Sequence, residues 1–221
     1  MRCSIRDVLS RLTDQGNLEE FIAAYVCSDS GDFFQTLVAT ILSQNTTDRA
    51  AMRAFNNLRQ VFGRVEPRTF VQLDVGTLVP IIRPAGLMSS KAKSIIEAAK
   101  TFLGYEPSVV DESSCEELRE KLLSIEGVGE KTADVVLLTC FGCRYFPSDT
   151  HIKRIFSRLN GEKMSYSRIA EIVLSSNLKP RELLELHHKL ITLGRKVCTA
   201  RKPKCEACPL GDCCEYRMAR P

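Results

Sequence analysis

An all-α fold is what this sequence predicts, on two observations. Apolar residues recur at three- and four-residue spacing through most of the chain, the period of helices that each bury one face. No segment shows sustained period-two alternation bounded by hairpin turns, so strands are not expected. Internal repeats and low-complexity tracts are equally lacking.

In chain order, Ile5, Val8, Leu9 and Leu12 mark a first helical piece, and Leu18, Phe21, Ile22 and Tyr25 a second. Cys27-Ser28-Asp29-Ser30-Gly31-Asp32 then reads as a loop, with Asp32 placed to cap a helix over 33–43. Phe34, Leu37, Val38, Ile41 and Leu42 form the core stripe of that helix. The polar cluster Gln44 to Asp48 joins it to a helix over 49–62. Short helices follow near 69–74 and over 75–82, then a turn at Pro84-Ala85-Gly86-Leu87 and a helix over 90–103. A loop over 104–114, with Pro107 and several acids, precedes a polar helix over 115–124 and an apolar run over 135–141. Beyond Asp149, helices are expected near 151–159, 167–176 and 181–193. His187 and His188 are adjacent, so a helix points them apart; they read as surface or packing residues rather than as ligands.

Composition narrows the class. A chain of 221 residues can bury one sizeable core or two small ones. Its 44% hydrophobic and 26% charged residues are ordinary for a soluble globular protein. The longest uncharged apolar run, Val135 to Cys143, is too short for a bilayer, and residues 1–7 lack the apolar core of a signal peptide. The expectation is an intracellular protein, in the cytoplasm or nucleoid of a prokaryote. A net charge of +4 permits nucleic-acid binding without requiring it. The placement says more, because Arg195, Lys196, Arg201, Lys202 and Lys204 crowd together near the C-terminus.

Ile125-Glu126-Gly127-Val128-Gly129-Glu130-Lys131-Thr132-Ala133-Asp134 is the stretch around which the rest is organised. Two glycines two apart suit a tight hairpin between helices, since each tolerates φ > 0 and lets a ligand approach the main chain. N–H groups at the start of the following helix suit a phosphate. Lys131 falls in the first turn of that helix, where the positive end of the dipole favours a neutral, nucleophilic amine. Eighteen residues on, Pro147-Ser148-Asp149-Thr150-His151 sets an acid at the head of another helix.

The ten cysteines divide evenly. Cys3, Cys27, Cys115, Cys140 and Cys143 are scattered and read as buried reduced thiols. The other five lie within seventeen residues, and Cys198-x6-Cys205-x2-Cys208-x5-Cys214 has the density of a metal site. Four thiolates hold either a tetrahedral zinc or a [4Fe–4S] cluster. A single close pair, in one compact loop, favours the wider-set corners of a cubane. Cys213 stands beside Cys214 as a competing fourth ligand, with Cys214 preferred.

Gly-Val-Gly-x-Lys-Thr-Ala followed by Asp-Thr-His-Ile resembles the helix-hairpin-helix DNA glycosylases, and the endonuclease III family most closely. Gly-Leu-x-x-Ser-Lys-Ala at Gly86 and the cysteine loop with its Ala-Arg-Lys-Pro-Lys insert extend that likeness over about residues 33–217. The resemblance implies two helical domains, a central bundle over 26–143 and a second built from 1–25 with 144–221, with the active site in the cleft between them. It implies a [4Fe–4S] cluster on Cys198, Cys205, Cys208 and Cys214, and a monomer acting on double-stranded DNA that carries a damaged base or abasic site. Lys131 would attack C1′ of the sugar to form a Schiff base, with Asp149 assisting; β-elimination would then nick the strand. Asn45 occupies the position of the family's probing glutamine, one methylene shorter, with Gln44 sharing the task; Leu87 would insert opposite the flipped base. Gly127, Val128 and Gly129 would meet the backbone phosphates, as would Arg201, Lys202 and Lys204. A glycosylase/lyase for oxidised pyrimidines is the function implied. A mismatch-specific thymine or uracil glycosylase of the same superfamily and a non-catalytic DNA-binding module are the alternatives.

Overall fold

In the computed structural model residues 2–105 and 111–219 are described, so Pro107 of the expected loop lies outside them. Among the described residues the ordered elements are helices and turns, and none of the helices is long and apolar enough to cross a membrane. The chain forms two compact units, one of residues 17–143 and the other of 1–16 with 144–221. The chain passes between units after Gly16, where the resemblance placed the step after residue 25.

The unit over 17–143 is built round α3 (Phe33–Ser43), which α2 (Ile22–Ser30), α4 (Asp48–Phe62), α7 (Met88–Thr101) and α9 (Glu130–Val136) enclose. Asp32 caps α3 as expected, its carboxylate accepting from the N–H groups of Phe34 and Gln35. The core stripe of α3 proves to be a whole core, since every residue from Phe33 to Leu42 is buried. A helix apolar all round is stable only when surrounded. Its two threonines fit because Thr36 and Thr40 donate to the carbonyls of Asp32 and Thr36, one turn back. Each large side chain buried there contributes roughly 1.5–3 kcal/mol. Phe33 adds edge contacts to Phe102 and Tyr105, with ring centroids at 5.1 and 5.6 Å.

One local expectation is corrected. Cys27 to Ser30 is helical and not a loop, because the chain stops α2 only at Gly31, whose φ of 65° closes the helix end. The segment after α9 winds into a π-turn over Leu137–Phe141, ended by left-handed Gly142. Helices α5 (Pro67–Phe70), α6 (Val75–Ile81) and α8 (Glu112–Leu123) complete this unit.

The second unit joins α1 (Ile5–Arg11) to α10 (Thr150–Asn160), α11 (Tyr166–Leu174), α12 (Pro180–Lys196) and α13 (Glu215–Met218). Ser4 and Asp7 form a reciprocal capping box that starts α1. His187 is buried on α12, with Nδ1–H donating to the Pro147 carbonyl at 3.0 Å, and so fixes the segment that leads to Asp149. His188 is enclosed as well, and burial holds its imidazole down at about 4. Both are packing residues.

Cys3, Cys115 and Cys143 are not reduced thiols. Cys3 is bonded to Cys213 and Cys115 to Cys143. The first bridge spans 210 residues of sequence, a proximity that only the tertiary fold creates.

Candidate active site and metal centre

Gly127 and Gly129 have different work. Gly127 takes φ 86°, and a Cβ there would run into Ser94 Oγ, so only glycine fits. Gly129 is the N-cap of α9 at φ −96°, an ordinary extended value with open space around it. The expectation of positive φ therefore holds for the first glycine and fails for the second. Both are exposed. Val128 turns its side chain into the core, 5% exposed, and its N–H goes to Ile125 O at 3.0 Å. Neither its side chain nor its amide is left to meet a ligand.

Three segments are latched together behind this hairpin. Ser94 Oγ on α7 donates to Glu126 O at 2.7 Å. Gln44 Nε2 donates to Gly127 O at 2.9 Å and to Thr132 Oγ1 at 3.1 Å. Its amide is thus turned back onto the hairpin, which corrects the expectation that Gln44 shares the probing role. Asn45, next in sequence, is exposed and left-handed at φ 51°. Leu87 is the same, at φ 47° and 60% exposed. Asparagine tolerates the left-handed region, but it is costly for leucine, and exposing a leucine gains nothing for folding.

Lys91 holds the bases of those two loops. Its ammonium is buried, 2% exposed, and donates to Leu42 O at 2.8 Å and Ala85 O at 2.7 Å. One carbonyl ends α3 just before Gln44; the other lies two residues before Leu87. A cation is the apt donor there, because the last carbonyls of a helix are unpaired and carry its negative end. Burial pulls the Lys91 ammonium down to about 8.

Lys131 is half-buried at the second position of α9. The angle between its helix and α8 is fixed by Arg119, whose Nε donates to buried Asp134 at 2.7 Å while a second nitrogen lies 3.6 Å from Glu130. Lys91, Ser94, Arg119 and Asp134 were not singled out from sequence. The available signal was Asp134, an acid between Ala133 and Val135, where an apolar run admits a charge only if it is paired.

In the other unit Asp149 caps α10, its carboxylate accepting from Ile152 N at 2.9 Å. One and two turns on, the same helix grips the cysteine loop. Arg154 Nε donates to Cys198 O at 2.9 Å. Arg158 reaches Cys198 Sγ at 3.2 Å and the carbonyls of Thr199 and Ala200 at 2.8 and 2.9 Å, with its guanidinium over the Tyr216 ring. The N-terminal segment adds Cys3, bonded to Cys213, and Arg11, paired with Asp212 at 2.6 Å.

Cys198, Cys205, Cys208 and Cys214 are free, half-buried, and line one pocket with Arg158 and Tyr216. Among the described residues, the group of three ligand atoms lying within 4.8 Å of one another is Cys3, Asp212 and Cys213, two of them already spent on a disulfide. No three of the four free thiols lie mutually within 4.8 Å, whereas tetrahedral zinc thiolates stand about 3.8 Å apart. They fit a polynuclear cluster. With Cys213 bonded elsewhere, Cys214 is the fourth ligand available. Burial, with the other three thiols nearby, pushes the Cys208 thiol up until a metal takes its proton's place. Arg201, Lys202 and Lys204 project from this loop, exposed.

Residues 38–180 match the model of the HhH-GPD superfamily base excision DNA repair protein, and residues 198–214 that of the iron-sulfur binding domain of endonuclease III. The chain belongs to the HhH-GPD superfamily. Within it, the chain is 44% identical over 202 residues to endonuclease III of Sulfolobus acidocaldarius, covering 90% of this chain and 89% of that one. Endonuclease III of Escherichia coli K12 is 36% identical over 187 residues, 83% and 84% of the two chains. A solved non-covalent endonuclease III–DNA complex is similar at TM-score 0.69 and 28% identity, covering 82% of each chain. The cofactor of this HhH-GPD protein is a [4Fe–4S] cluster.

Proposed function

We propose that this HhH-GPD protein removes oxidised pyrimidines from double-stranded DNA inside the cell and then cuts the abasic site, with Lys131 as nucleophile and Asp149 as its acid–base partner. The observation that carries the reading is the latch behind the hairpin. A buried lysine and two side-chain hydrogen bonds hold an exposed Leu87, an exposed Asn45 and the Lys131 helix start in one register. A module that only bound DNA would need the glycines but not an exposed, left-handed leucine held by the same helix that latches the hairpin.

The chemistry balances on those groups. A damaged nucleotide is turned out of the duplex, Leu87 filling the gap and Asn45 probing beside it; a lesion that stacks poorly is the easiest to turn out. The Lys131 nitrogen bonds to C1′ as the C1′–base bond breaks, its proton passing to the Asp149 carboxylate. The same carboxylate balances positive charge on the sugar in the transition state. Return of that proton from Asp149 to the ring oxygen opens the sugar and gives a protonated imine between Lys131 and C1′, which acidifies the C2′ proton. Loss of that proton breaks the C3′–oxygen bond and nicks the strand. Gly127 and Gly129 admit phosphate close to the main chain, while Arg201, Lys202 and Lys204 add phosphate contacts that do not depend on sequence. The cluster, when bound, ties the loop that carries those three cations and supplies no step of the reaction.

A panel of duplexes tests the substrate. Oxidised pyrimidines should be excised at least tenfold faster than uracil or thymine opposite guanine. Faster excision from the mismatches would replace the lesion class while leaving the mechanism intact.

A further inference from the structure

Six cysteines are not cluster ligands, and the fold sorts them into three pairs. Two pairs are closed, Cys3–Cys213 and Cys115–Cys143. The third is open: Cys27 on α2 and Cys140 in the π-turn are free thiols, both half-buried, and Cys27 Sγ lies 3.6 Å from the carbonyl oxygen of Thr139, the residue before Cys140. Helix α2 packs against both α3 and the π-turn, which brings the two thiol-bearing segments together beside fully buried Thr36. Two free thiols on packed segments 113 residues apart, one of them touching the carbonyl next to the other, form a site for bond formation between them.

The two thiols differ in character. The hydrogen bond from Cys140, against the opposing effect of burial, lowers Cys27 to about 7. Cys140 is pushed well above the usual thiol range by its bond to Cys27, by burial and by the Cys27 charge, with Asp32 adding to the effect. One proton is therefore shared after the first is lost, and the less enclosed Cys27 is the sulfur that meets a reagent as thiolate.

We propose that Cys27 and Cys140 are a thiol–disulfide exchange site, which a small-molecule disulfide closes into a third cross-link between α2 and the π-turn at the end of the Lys131 helix. The Cys27 thiolate attacks one sulfur of the reagent and expels the other half as thiolate, leaving a mixed disulfide. Cys140 then loses its proton and attacks Cys27 Sγ, expelling the second half. The protein loses two hydrogens, and the reagent is reduced to two thiols. Because Cys140 lies on the continuation of α9, closure clamps the far end of the helix that begins beside Lys131.

Glutathione disulfide, added anaerobically to cluster-loaded full-length protein, tests this by alkylation and peptide mass spectrometry. Two alkylatable thiols should disappear, two glutathiones be released per chain, and a Cys27–Cys140 peptide appear; protein isolated with the link already closed gives that peptide before treatment and supports the proposal equally. Cys140→Ser should retain one glutathione on Cys27, whereas Cys27→Ser should label Cys140 about tenfold more slowly or less. Closure should raise the unfolding temperature by roughly 5–10 °C in the wild type and in neither variant. Absorption near roughly 400 nm should stay constant, showing that the cluster thiolates are untouched. Two independent glutathione adducts, or two thiols that stay alkylatable with no linked peptide, would overturn it.

Discussion

The two units hold their exposed loops by different means. Behind the hairpin the loops at 43–47 and 85–87 are held by hydrogen bonds from Lys91 and Gln44, and the hairpin itself by Ser94. The cysteine loop adds covalent and ionic ties to its hydrogen bonds: a disulfide to Cys3, the Arg11–Asp212 pair and four thiols set for a cluster, beside the hydrogen bonds from Arg154 and Arg158. The difference follows from what lies behind each loop. The hairpin rests on a packed core centred on α3, so donors there need only to aim. The cysteine loop carries exposed cations and little apolar surface, Leu210 being its buried anchor, and cannot fold on burial alone.

The comparison breaks most visibly at the metal. Cys208→Ala should abolish the brown absorption and unfold the cysteine loop, while Cys213→Ser should keep the colour and lose only the bridge to Cys3, about 2–5 kcal/mol of stability. Visible absorption and urea unfolding of both variants check this; loss of colour in Cys213→Ser would show that the disulfide assignment is wrong.

Lys91→Met should lower stability by roughly 2–4 kcal/mol, because two buried carbonyls lose their donor. Excision should fall further than stability accounts for, since both loops lose their anchor. The pH dependence has a definite sign. Folded Lys91 titrates at about 8 against 10.5 unfolded, so between those values the unfolded chain binds the extra proton. Native stability from this group is fully present above 10.5 and is lost as pH falls through 8. The wild-type advantage over Lys91→Met should therefore widen from pH 8 towards 10.5 in urea titrations.

The smallest effect separates the glycines. Gly127→Ala should cost about 1–3 kcal/mol, through backbone strain and the displaced Ser94 bond. Gly129→Ala should be nearly neutral for stability. If it nonetheless weakens DNA binding, the added methyl obstructs a phosphate, and the role of Gly129 is contact rather than conformation.

Motif residues were legible in sequence because their chemistry requires a type at a spacing: Gly127 beside Lys131, an acid starting α10, four cysteines in seventeen residues. Asp32 was legible as a cap for the same local reason. Contacts across the fold were not. Lys91 reads as one more lysine on a helix; only the arrival of α3 and the 83–85 turn makes it a buried donor. Cys3 and Cys213 pair over nearly the whole chain, and no local pattern records that. Gly127 and Gly129 are identical in sequence, and what separates them is the approach of Ser94 from α7. The helical end of α2 was missed because Gly31, not the polar run before it, supplies the stop.

The central claim is that Lys131, at the start of the latched helix, is the nucleophile, and borohydride trapping on duplex abasic DNA tests it most directly. Wild-type protein should form a covalent complex when the imine is reduced. Lys131→Gln should bind the same duplex with little change, since the hairpin, the two exposed loops and the cluster loop are intact, and should give neither trapped complex nor strand cleavage. A trapped complex of undiminished yield from Lys131→Gln would assign the Schiff base to another amine and contradict the account.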